Sequence, residues 1–328
     1  MNNIPINFKY KADNINDFNL NQHDKDLLTI YINIDNLNLI IYGNIGTGKT
    51  SLANYIISEY YNYPSLDNNT INSIQNNNIL YINLLKDQGI NYYRTDVKNF
   101  CTSLSIVKNK KKFVIIDHID ILSEQNQYTF RNYIDNYSSN VNFLITCLEL
   151  NKIYESIRNK LDIIKLNNID NIFLKKIYNK ISIKENIYLD IKDVENIINV
   201  SNNSISCMIN NIQKIILTDK KINNIYDITH NISKNLLDKY ILACKQNDLC
   251  EAYGILNNLY NTGITVIDIL DNLTHYINYH TNNILKTEEK YKMLIIICKF
   301  INIFYNIHED NIELLFLTNN ICKLFHKI

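Results

Sequence analysis

The chain has 328 residues, 33 basic and 33 acidic side chains, and 46% hydrophobic residues. That is enough chain for two or three ordinary domains, and it is too apolar to be disordered. Zero net charge excludes a global field that would drive the molecule onto nucleic acid, so any such contact needs a local basic stripe. Fifty-eight asparagines against six glycines and two prolines are the mark of an AT-rich coding sequence. Asn-based motifs therefore carry no weight, and the glycosylation pattern at Asn68–Thr70 is read as chance.

Taken from the start, Met1 to Tyr10 lacks the basic-then-apolar pattern of a secretion signal. The most apolar run, Leu294 to Cys298, is cut short by Lys299 and Asn302, far below the length of a membrane span. Seven cysteines, odd in number and without a C-x-x-C pair, argue for a reducing compartment and against a disulfide scaffold or a zinc site. His275 and His280 stand five apart, the wrong step for one helix face, and read as structural.

From Leu37 to about Leu166, short apolar runs alternate with helical patterns. Leu39–Tyr42, Ile79–Ile82, Phe113–Ile116 and Phe143–Thr146 read as buried strands. Thr50–Tyr60, Tyr92–Ser103 and Ser123–Tyr137 read as helices. Alternation of this kind predicts an α/β domain, a parallel sheet with helices on both faces. After Leu166 the strand signal stops. Asn171–Ile181, Ile191–Val200 and Ser204–Leu217 predict a small helical domain. From Ser233 onward the pattern is helical again, with breaks near Asn247, Gly263 and Glu309. The expected domains are 1–166, 167–232 and 233–328.

Three of the six glycines fall in one eight-residue window, Gly43-Asn44-Ile45-Gly46-Thr47-Gly48-Lys49-Thr50. This is a G-x-x-x-x-G-K-T loop that follows a strand and opens a helix, which is the context a phosphate-binding loop demands. Glycines let backbone amides fold around phosphate oxygens, and the following helix aims its positive end at them. Lys49 would neutralise the β and γ phosphates of ATP, or the β phosphate of ADP, and the Thr50 hydroxyl would hold Mg²⁺. Phe113–Asp117 is a buried strand ending in a carboxylate, the place for a second Mg²⁺ ligand, Asp117.

These motifs, about 65 residues apart by the order of P-loop and Walker B elements, and the helical tail resemble the AAA+ family and, within it, the replication factor C small subunits. Lys9-Tyr10-Lys11 is similar to the family's K-Y-R-P entry segment, which makes Tyr10 a nucleotide-binding candidate. Asn83–Ile90 followed by Arg94 is similar to N-A-S-D-E-R-G-I…R. Phe143–Cys147 with Lys152, Ile153 and Glu155 resembles F-x-x-x-C-N-x-x-x-K-I-x-E. Asn210–Gln213 is similar to the lid's I-N-N-L-Q, and Leu259–Gly263 with Asp268–Leu270 to the collar's L-x-x-x-G…D-I-L. The resemblance implies an AAA+ nucleotide-binding domain, a helical lid and an all-α collar that holds five different subunits together. It implies a clamp loader that uses ATP binding to open a sliding clamp and place it on primer–template DNA. Arg94, Lys98 and Arg131 are the implied DNA-phosphate contacts, a salt-sensitive and sequence-independent role. Phe100 and Cys101 sit where relatives dock an apolar plug into the clamp, while Lys108–Lys112 reads as a solvated turn. The implied location is a nucleus, or a viral replication site if the source is a large DNA virus.

Four positions that run hydrolysis in the family are altered. His118 stands where a glutamate polarises the attacking water, and Leu148 replaces the sensor asparagine. Asn159-Lys160 replaces the S-R pair of the arginine finger, so Lys160 keeps the charge without the two-pronged geometry. Ser206 replaces the lid arginine. Nucleotide binding is expected, with weak or lost hydrolysis by this chain. The alternative is another AAA+ replication protein, of origin-binding or helicase-loader type. Those carry a β-wing after the lid, and nothing after Ser233 reads as one.

Overall fold

A computed structural model describes residues 5–10, 12, 14–63, 66, 68–84, 90–185, 187, 189–201, 203–217, 232, 234–279, 284–304 and 310–326. The chain divides into two compact units, Met1–Ile222 and Asn223–Ile328.

The first unit opens with α1 (Ile6–Lys9) and α2 (Gln22–Ile34), then β1 (Leu39–Tyr42) and α3 (Lys49–Tyr60). It continues with α4 (Asn68–Asn78), β2 (Ile79–Asn83), α5 (Ile90–Thr102), β3 (Lys112–Asp117), α6 (Glu124–Tyr137) and β4 (Val141–Cys147). The short helix α7 (Glu155–Arg158) leads to β5 (Asp162–Lys165). The strands form one parallel sheet in the order β2-β3-β4-β1-β5. Alternate side chains on each strand serve opposite faces. Leu39, Ile41, Phe113, Ile115 and Leu144 pack against Leu28 of α2 and Leu52 and Ile56 of α3. Ile40, Val114, Ile116, Phe143 and Ile145 pack against Val97 of α5 and Phe130 of α6. Both faces are thus covered, as the continuous apolar runs require.

Two features depart from the sequence reading. β5 is a fifth strand at the sheet edge, paired to β1. Only Ile164 of its four residues is buried, so its sequence lacks the apolar run by which the inner strands are read. Lys112 is no part of a solvated turn. It opens β3 in the core, 2% exposed, and its ammonium donates to Phe100 O at 3.0 Å and Ser103 Oγ at 2.6 Å. Burial pushes its pKa down.

Three helices complete the unit: α8 (Asn171–Glu185), α9 (Ile191–Val200) and α10 (Ile205–Leu217). Leu174, Tyr178, Ile197, Met208 and Ile212 are among their buried residues. The N-terminal segment is tied to them. Lys9 pairs with Glu185 at 2.5 Å, Tyr10 donates its hydroxyl to the same carboxylate, and Ile6 N–H donates to Gln213 Oε1 at 3.2 Å.

The second unit contains, among the described residues, α11 (Lys234–Lys245), α12 (Leu249–Asn261), α13 (Val266–Tyr279), α14 (Thr287–Phe304) and α15 (Ile312–Phe325). Tyr240, Leu256, Leu273, Ile297 and Leu317 meet in one core. The breaks expected near Asn247 and Gly263 coincide with left-handed backbone, φ 60° and 93°; Glu309 lies outside the described residues. A further break separates α13 from α14, where Glu289 accepts from Lys286 N–H at 3.0 Å in half of a capping box. Left-handed residues recur through the chain. Apart from glycine they are Asp35, Asn62, Asn109, His118, Asn203 and Asn247 among those described.

Candidate functional site

The loop from Gly43 to Thr50 joins β1 to α3 at the carboxyl end of the sheet, where ligands of open α/β sheets bind. Its glycines are needed for shape. Gly46 and Gly48 adopt φ +74° and +97°, and a Cβ on Gly43 would lie 2.9 Å from Leu166 O. Thr47 closes the loop by donating to Asn44 O at 2.8 Å, Asn44 donates its side-chain amide to Asn168 at 2.8 Å, and Ile45 is exposed. Lys49 is buried beneath the loop and donates to Gly43 O and Asn44 O, each at 2.9 Å. Burial pushes its pKa down, against the raising pull of Cys147, Asp117 and Asp120. A buried ammonium held only by carbonyl oxygens is suited to exchange them for anionic phosphate oxygens.

Thr50 stands opposite Asp117, its hydroxyl 3.3 Å from both carboxylate oxygens. Two further hydroxyls, which sequence reasoning missed, reach the same carboxylate. Thr146 of β4 donates to Oδ1, and Tyr81 of β2 donates to Oδ2 at 2.5 Å. This all-oxygen set beside a phosphate loop fits Mg²⁺. No cluster of three or more His, Cys, Asp or Glu side chains able to hold a metal occurs among the described residues.

Beside the loop lies a cavity of about 320 Å³, the size of a small-ligand pocket. Tyr10, Phe18, Gly46, Gly48, Ile177 and Ile209 contribute to its wall. Toward α8 and α10 the wall is mixed, with Ile177, Ile181 and Ile209 beside Lys180, Lys184 and Ser206. The phenol of Tyr10 has its pKa raised by burial and by the Glu185 carboxylate. The helices close over the loop directly: Ile205 N–H donates to Gly46 O at 3.0 Å, and Ser204 occupies the space a Cβ on Gly46 would enter. Ser206 lines the cavity from the first turn of α10.

Ser206 is one of the altered positions, and His118 and Leu148 follow the strands that carry Asp117 and Thr146. His118 follows Asp117 directly in a left-handed conformation, φ 64° and ψ 48°, and its N–H donates to Thr146 Oγ1 at 3.2 Å. Leu148 follows β4, and its N–H donates to Asp120 Oδ2 at 3.3 Å. An apolar side chain there offers a water nothing to bind.

The remaining candidates lie away from the cavity. Arg94 and Lys98 are exposed on α5. Arg131 lies on α6, half-buried, over the ring of Tyr128 at 5.3 Å and 3.7 Å from Asp135. The helices are neighbours, since Tyr133 of α6 donates to Arg94 O at 3.4 Å. Lys160 pairs with the same Asp135, so one carboxylate serves both the DNA-contact candidate and the finger candidate. Cys101 is a core residue, its thiol pushed up to about 12 by burial. Phe100 is half-buried beneath the Lys112 ammonium at 3.8 Å.

Residues 39–171 match the ATPase family associated with various cellular activities (AAA). The chain is 27% identical over 187 residues to a replication factor C small subunit of Acanthamoeba polyphaga mimivirus, covering 57% of this chain and 55% of the relative. It is 28% identical over 159 residues to replication factor C subunit 5 of Homo sapiens, covering 48% and 44%. The chain thus spans about half the length of the curated relatives it matches. In fold it is similar to the Thermotoga maritima RuvB Holliday junction branch migration motor, with TM-score 0.50, 16% identity and coverage of 70% and 73%. A mutant form of RuvB gives TM-score 0.54 at 17% identity, covering 87% of this chain and 98% of that one. With its loop and sheet order, the region 39–171 is a AAA domain, in a chain similar to the small subunits of replication factor C.

Proposed function

We propose that this chain is a subunit of a clamp loader that binds ATP or ADP with Mg²⁺ and contributes little hydrolysis of its own. The observation that carries the reading is the split at one site: Lys49, Thr50 and Asp117 are present and assembled, while His118 and Leu148 stand where the family resemblance expects a glutamate and an asparagine to orient water. Gly43 to Gly48 would wrap the phosphates, Lys49 would neutralise them, and Tyr10 would sit beside the base in the cavity. Thr50 and Asp117 would hold Mg²⁺, which when bound spreads the phosphate charge. Bound nucleotide then acts as a structural part, stabilising the conformation that holds it.

In this reading residues 1–166 are the nucleotide module, 167–232 the lid and 233–328 the collar of a heteropentamer with a sliding clamp and primer–template DNA as partners. Arg94, Lys98 and Arg131 supply backbone contacts to DNA, with Arg131 first leaving Asp135, and Lys160 faces a neighbour's nucleotide. The setting is a nucleus or a viral replication site. No helix among the described residues is long and apolar enough to cross a membrane.

The test is the native mass of the assembly recovered through a tag on this chain. Five different loader-sized chains support the proposal. A monomer indifferent to ATP, or a ring of this chain alone, overturns it and brings forward an origin-binding or helicase-loader role.

A further inference from the structure

The Asp117 carboxylate is gripped from both neighbouring strands. Thr146, on the inner strand β4, donates to Oδ1, and Tyr81, on the edge strand β2, donates to Oδ2 at 2.5 Å. Asp117 itself is 5% exposed, so these hydroxyls replace water that a surface carboxylate would bind. A carboxylate has about four lone-pair positions. With one hydroxyl on each oxygen its plane is fixed, and lone pairs remain on each oxygen for Thr50 and a cation.

The Tyr81 contact is a long reach. In the register of the sheet Tyr81 lies opposite Ile115, and Asp117 lies opposite Asn83, so the phenol crosses diagonally to a residue two places along the adjacent strand. The residue is 41% exposed, yet its hydroxyl is turned inward to the carboxylate. A phenol is protonated at neutral pH and therefore serves as the donor in this contact. An outer hydroxyl aimed at a ligating carboxylate orients the ligand and sets how tightly it holds a metal.

We propose that Tyr81 is a positioning residue for the metal-bearing carboxylate, and that its hydroxyl sets the affinity of the nucleotide complex for Mg²⁺. The proposal rests on the nucleotide-site reading above and adds a residue to it. The role requires the hydroxyl, whereas a packing role requires only the ring.

The test uses the full chain, a fluorescent ADP analogue and a Mg²⁺ titration, with Tyr81→Phe as the variant and Tyr81→Leu as a second one lacking the ring as well. Both variants should need about tenfold more Mg²⁺ to reach half-effect, in line with the loss typical of an outer-shell partner. Their affinity for the analogue in EDTA should match the parent's. An unchanged Mg²⁺ titration in Tyr81→Phe, alongside a shifted one in Thr50→Ala, overturns the proposal and leaves Tyr81 a packing residue. Equal loss of affinity with and without Mg²⁺ also overturns it, because that is the signature of a damaged strand. If Thr50→Ala and Asp117→Asn leave the titration unchanged too, the nucleotide-site reading falls, and this proposal with it.

Discussion

Lys49 and His118 illustrate how differently single residues report their role. Lys49 sits in a buried setting where only carbonyl oxygens meet its charge. Replacing it with Ala removes a charge-assisted contact of about 1.5–3 kcal/mol, or roughly ten- to hundredfold in Kd. A fluorescent-nucleotide titration of Lys49→Ala should show that loss. His118→Ala, by contrast, should leave ATP hydrolysis by the assembled complex unchanged; a drop in rate would mean that the imidazole has taken over as base. The loop was legible because glycine is so scarce that three in one window stand out. The departures at His118 and Leu148 were legible only through the resemblance to the AAA+ family, which says what residue to expect at each position. Tyr81 and Asp135 were not, since their roles arise only when strands and helices distant in sequence meet. Tyr81 is 36 residues from Asp117 and Asp135 is 25 from Lys160.

At the scale of elements, the phosphate loop packs closely against Ser204, the residue before α10. A Cβ on Gly46 would lie 2.0 Å from Ser204 Oγ and 2.8 Å from its Cβ, at a φ of +74°. Gly46→Ala should therefore lower both thermal stability and nucleotide affinity. Gly263 is the control, since its φ is +93° but nothing lies within 4 Å. Gly263→Ala should cost only the conformational penalty, about 1–2 kcal/mol, and leave nucleotide affinity alone. The entry segment offers a pH test. Lys9 and Tyr10 hold the Glu185 carboxylate below its ordinary value of 4.5. A depressed carboxylate stabilises docking above its unfolded pKa, and that contribution disappears as pH falls through the folded value. Protection of the amides in residues 5–10, taken relative to their intrinsic exchange rates, should accordingly fall on acidification below about pH 4.5. The inner strands and the three helices α8 to α10 were readable from their apolar patterns. The edge strand β5 and the helix α4 were not: β5 buries only Ile164, and α4 is built largely of Asn, a poor helix former.

For the whole molecule, the two units give nucleotide a defined territory. A ligand at one hundred times its Kd stabilises the conformation that binds it by about 2.7 kcal/mol. With nucleotide and Mg²⁺, amides of β1, β3 and α3 should gain protection in hydrogen exchange. Helices α11 to α15 provide the reference, and equal gains there would mean that the ligand acts on the chain as a whole. The α/β character of the first unit and the helical character of the second could both be read from periodicity. The break between α13 and α14 could not, because the apolar pattern runs on either side of it with no glycine or proline between.

The left-handed turns carry one more consequence. Four of the six non-glycine residues at positive φ are asparagines, occupying positions where glycine is the usual choice. Asparagine tolerates that backbone but brings a Cβ, which removes many conformations from the unfolded chain. Where the native conformation accepts the side chain, exchanging glycine for a residue with a Cβ is worth about 0.4–1 kcal/mol through the unfolded state alone. Asparagine at these turns thereby shortens the entropic distance this chain must travel to fold.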